Sequence, residues 1–115
     1  MSHRDFPFLV KGRSWHSICS HFESRRPRMF QFVTWLRDSD YAFGLYPITS
    51  LDTLILGFDM WNNVIRIDET PEGFAITVYE SHKDRSTREF TEDKIIPAFE
   101  KLISSLHWFR EEMAK

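Results

Sequence analysis

Apolar positions along this chain keep two rhythms, the helical one of about 3.6 residues and the strand one of two. Trp15, Ile18, Cys19 and Phe22 recur at intervals that fill one helix face, which predicts a helix over residues 14–26. Ser14 supplies its cap, Arg25 and Arg26 suit the negative end of its dipole, and Pro27 stops it. Residues 29–36 are apolar on both alternating faces, which suits a buried strand, although a run this short also admits a helix. Asp38, Ser39 and Asp40 then make a turn, and Tyr41 to Tyr46 read as a further strand ending at Pro47.

Alternation is clearest in the middle of the chain. Thr53 to Met60, Val64 to Asp68 and Phe74 to Glu80 predict three antiparallel strands. The first two are joined around Trp61-Asn62-Asn63, where Asn tolerates the positive φ of a tight turn. The next connection, Thr70-Pro71-Glu72-Gly73, places Pro and Gly where a type I turn takes them. Leu54, Leu56, Phe58, Ile65, Ile67, Phe74, Ile76 and Val78 then share one face, with Asp59, Arg66, Asp68, Thr77 and Tyr79 on the other. Ser86 to Phe90 predict a short edge strand.

A last helix starts at a Thr91 cap with Glu92 and Asp93 in its first turn. Its apolar stripe is Ile95, Ile96, Phe99, Leu102, Ile103, Leu106, Phe109 and Met113, giving a rod roughly 33 Å long. Pro97 falls inside this helix on the polar side, where a bend is expected to absorb it. Trp108 falls on the same polar side. The expected fold is α+β: an antiparallel sheet of four to five strands, with an N-terminal and a long C-terminal helix packed on one face.

Composition sharpens the picture. At 115 residues the chain has room for one core and not two, so residues 1–115 are expected to form a single domain. Aromatic residues make up 16%, which implies a core of large rings, or one that also shows rings outside. Cys19 is the only cysteine, which excludes an internal disulfide. With no apolar run at its start and none long enough to cross a bilayer, the chain is expected to be cytoplasmic and not membrane-bound.

The net charge of −2 conceals a gradient. Residues 1–28 carry six basic side chains against two acidic ones, whereas residues 29–80 carry two against eight. An acidic middle can steer a basic partner, or the two segments can attract each other within the fold.

Chemistry-bearing motifs are scarce. The four glycines are too scattered for a phosphate-cradling loop, so no nucleotide cofactor is expected. His16 and Cys19 have ligand spacing, but two groups do not make a metal site, and Cys19 lies on the apolar stripe rather than in an exposed electropositive place. No catalytic or metal-ligating residue is assigned. Arg25, Arg26 and Arg28, followed by Phe30 and Phe32, carry a nucleic-acid reading, against which stands a sequence pI near 6.2.

What remains is surface. Trp61 at a hairpin tip, Arg66, Asp68 and Tyr79 on the open sheet face, Asp59 beside the tip, and Glu69 and Glu72 at the rim combine hot-spot residue types with acidic charge. Trp108 is a second candidate contact, for a partner or for a second copy of the chain. In size, charge layout and lack of catalytic motif, the chain resembles the small cytosolic immunity proteins that bacteria keep against secreted toxins. That resemblance implies an inhibitor whose acidic surface plugs a basic toxin or enzyme. The second reading is a small-molecule binder or enzyme with a pocket between sheet and helix.

Overall fold

A computed structural model describes residues 15–57, 63–80 and 84–106. Among these residues, three helices and five strands follow one another: α1 (Trp15–Glu23), α2 (Pro27–Arg37), β1 (Tyr46–Ser50), β2 (Thr53–Gly57), β3 (Asn63–Thr70), β4 (Gly73–Glu80), β5 (Asp84–Thr91) and α3 (Ile95–Ser105). Short 3-10 turns at Asp40–Gly44 and Glu92–Lys94 lead into β1 and α3. The strands form one antiparallel sheet in the order β1-β2-β3-β4-β5, and the helices pack on one side of it, an α+β architecture.

Register confirms the expected faces. Leu54 pairs with Ile67, Leu56 with Ile65, Ile67 with Ile76 and Ile65 with Val78, and all of these are buried. Phe58 lies outside the described residues. Over this layer α1 sets Ile18, Cys19 and Phe22, α2 sets Met29, Phe32, Val33 and Leu36, and α3 sets Ile95, Phe99 and Ile103. Phe32 is the hub of the rings: its centroid lies 5.4 Å from Phe99, 5.8 Å from Trp35 and 6.0 Å from Phe74. Tyr41 closes the cluster at 6.0 Å from Phe99 and 6.1 Å from Trp35, so much of the aromatic content is core.

Residues 29–36 form a helix, not the strand expected. Met29, Phe32, Val33 and Leu36 are the buried positions, a helical stripe that Phe30 and Trp35 blur because they pack half-buried at its margins. Pro27 ends nothing by itself. It stands at the first position of α2, where its missing N–H is no loss, while the N–H groups of Arg25 and Arg26 both turn back to the Phe22 carbonyl at 3.1 and 2.9 Å. α1 therefore stops at Glu23, and Arg25 and Arg26 belong to the corner between two helices.

Two further expectations change. Residues 41–46 are mostly a 3-10 turn, fastened by the Trp15 indole N–H donating to the Ala42 carbonyl at 3.3 Å, and β1 begins at Tyr46 and runs through Pro47. Proline is tolerated there because β1 is an edge strand. α3 has eleven residues, about 16 Å of helix, rather than the long rod predicted. It ends where the Ser104 and Ser105 hydroxyls donate to the Glu100 and Leu102 carbonyls and Leu106 turns extended. Pro97 sits in its first turn, where backbone N–H groups have no helical acceptor, so no bend is required.

Gly73 is needed for a close approach. A Cβ there would stand 2.0 Å from the Phe90 carbonyl oxygen on β5.

Candidate functional site

The sheet has one face under the helices and one under no described element. Side chains of the second face follow from the register in three rows. Tyr46, Gly57, Val64, Tyr79 and Arg85 form the first, and Ile48, Ile55, Arg66, Thr77 and Thr87 the second. Asp68, Ala75 and Glu89 continue the third from the β1–β2 hairpin.

These rows divide the face by chemistry. At the β1 side, Tyr46 is 41% exposed, and Ile48, Ile55 and Val64 are half-buried around the buried backbone of Gly57. Tyr79 extends this apolar corner onto β4. The rest is mostly polar, and its centre is mutually satisfied. Arg66 Nε donates to Asp68 at 2.9 Å, the Thr53 hydroxyl donates to the same carboxylate, and the Thr77 and Thr87 hydroxyls are 2.9 Å apart. The hydrogen bond to Asp68, and then its charge, hold the Arg66 guanidinium pKa above its ordinary value.

The residues singled out from the sequence are scattered by this geometry. Arg66, Asp68 and Tyr79 do lie on the open face, with Arg66 exposed and the other two half-buried. Glu72 is exposed in the β3–β4 turn. Glu69 is drawn away from the rim: on the Ile65–Ile67 side of β3, its side chain is only 7% exposed. It accepts from Arg28 Nε at 3.1 Å and from the Met29 N–H at 3.2 Å. It thereby caps the start of α2 from the sheet, a role no side chain of that helix fills. Asp59, Trp61 and Trp108 lie outside the described residues.

Part of the charge gradient is spent within the molecule. Arg26 reaches Asp52 at 3.0 Å with Arg25 at 3.9 Å from the same carboxylate, and Arg28 holds Glu69 and the carbonyls of Thr70 and Pro71. Phe32 is core and Phe30 half-buried, so the Arg25–Arg28 segment presents no open rings for stacking bases, and Arg26 and Arg28 are engaged within the fold.

Compared with known proteins, the chain matches no family model, no curated relative and no solved structure. Its function has to be argued from its surface.

Cys19 is buried on the inner face of α1, whereas His16 on the same helix is exposed. Among the described residues, no group of three or more His, Cys, Asp or Glu is arranged to hold a metal ion. Likewise no described helix is long and apolar enough to cross a membrane.

Sequence reasoning missed Tyr46, Ile48, Ile55 and Val64. The signal was present in the alternation itself, because Ile55 and Val64 stand at outward positions where a water-facing strand carries polar residues.

Proposed function

We propose that this is a non-enzymatic protein-binding domain whose working surface is the open face of the sheet. One observation carries the reading: Tyr46, Ile48, Ile55, Val64 and Tyr79 form a contiguous apolar corner on a face that no described element covers, with Arg66 beside it. Contiguous apolar surface edged by polar groups marks interaction sites, and Tyr with Arg supplies the side chains that dominate binding energy.

An immunity-type inhibitor that blocks a basic toxin or enzyme is the finer form of this proposal. Its support shifts from charge to rings, since Asp68 is committed to Arg66 and Glu69 to Arg28. Glu72, and Asp59 by sequence, remain for a basic partner.

Affinity capture with three folded baits tests it. The wild-type chain is compared with Tyr46→Ala/Tyr79→Ala and with Asp59→Lys/Glu72→Lys. One stoichiometric partner lost only with the tyrosine variant is the expected result. Loss only with the lysine variant would return the case to acidic charge, and retention by both would overturn the open face as the working surface.

A further inference from the structure

A groove of about 350 Å³ runs on the opposite side of the sheet, between α3 and β5. It exists because α3 covers β4 but leaves the inner side of β5 uncapped: Ile76 and Val78 are buried, whereas their β5 partners Arg88 and Ser86 are exposed. One wall is a single helix face, with Ala98, Lys101, Leu102 and Ser105 at intervals of three, one and three. Three residues of 3-10 turn separate β5 from α3, so strand and helix are consecutive elements, and Ser86, Arg88 and Phe90 of β5 line the other wall.

Charge in this groove is one-sided. Arg88 and Lys101 enter from opposite walls, and neither has an ion-pair partner among the described residues, unlike Arg25, Arg26, Arg28, Arg37 and Arg66. Two nearby acids are turned elsewhere: Glu89 lies on the outer face of β5 and Glu100 sits beside the Tyr41 phenol, while Glu80 shares the inner face with Val78 one inward position beyond the lining. An apolar floor between two uncompensated cations fits one kind of occupant.

We propose that this groove binds a small apolar carboxylate of the medium-chain fatty-acid type. Its head sits between Arg88 and Lys101, and its chain lies along Ile76, Val78, Phe90 and Leu102. The guanidinium takes the carboxylate through paired N–H donors and the ammonium adds a point charge. The inference stands independently of the open-face reading.

A nitrogen-15 amide titration of the full chain with octanoate, and separately with 1-octanol, tests it. Saturable one-to-one shifts at the amides of Ile76, Val78, Phe90 and Leu102 are expected with octanoate, at least about tenfold tighter than with octanol. Arg88→Gln and Lys101→Gln should each weaken octanoate about fivefold or more, while Arg85→Gln, on the other face of β5, leaves it within about twofold. These substitutions are at exposed positions, and an unchanged amide spectrum verifies the fold of each variant. Equal binding of octanol, equal weakening by Arg85→Gln, or shifts that never saturate would each overturn the proposal.

Discussion

Leu51 is the only non-glycine residue with positive φ among the described residues, at 57°, and it is 87% exposed at the tip of the β1–β2 hairpin. Neighbours hold this turn in place. The Leu51 carbonyl accepts from the His21 Nε2 at 2.7 Å, and Asp52 is gripped by Arg26. A left-handed Leu costs about 1–2 kcal/mol, part of which Gly gives back through its freer unfolded chain. Leu51→Gly should therefore stabilise the domain by about 0.5 kcal/mol, read as a higher urea midpoint at unchanged slope. Glu69 predicts the opposite sign. Removing its side chain takes the nearest carboxylate from Arg28, which is only 27% exposed, and uncaps α2, so Glu69→Ala should cost about 1–3 kcal/mol in the same assay. That inward role was legible in principle, because Ile65, Ile67 and Glu69 share a parity; proximity to a polar turn outweighed it.

Between elements, Tyr41 joins the first 3-10 turn to α3. Burial, and then the Glu100 carboxylate, raise its phenol pKa above the usual 10.0. A raised folded-state pKa contributes stability that is full below the unfolded value and is lost as pH rises through the folded one. The urea midpoint should thus fall above about pH 10, and Tyr41→Phe should flatten that fall while leaving acid behaviour unchanged. Pro97 tests where α3 begins. Inside a helix Pro→Ala gains about 3 kcal/mol, but in a first turn Pro97→Ala should shift stability by under about 1 kcal/mol. The strands were readable because their turns and alternation agree, whereas α2 was not. Its six apolar residues in eight positions fill two faces at either period, and only tertiary packing decides which four go under.

Across the whole molecule, the layer order followed from the pattern of apolar faces, while the use of charge did not. Sequence shows how many charges each segment carries but not which of them meet. Corners and hairpins bring Arg25 and Arg26 onto Asp52 and Arg28 onto Glu69, pairs separated by tens of residues. The acidic middle thereby loses part of the field that would draw a basic partner from a distance. Binding through the open face should then depend on apolar contact, with a measurable consequence. Charge-steered association slows steeply as salt shortens the Debye length from about 30 Å at 0.01 M to about 8 Å at 0.15 M, whereas apolar docking does not. The captured partner's association rate should change by less than about threefold across that range. A fall of about tenfold or more, erased in Asp59→Lys/Glu72→Lys, would mean that the few unpaired acids still direct the encounter.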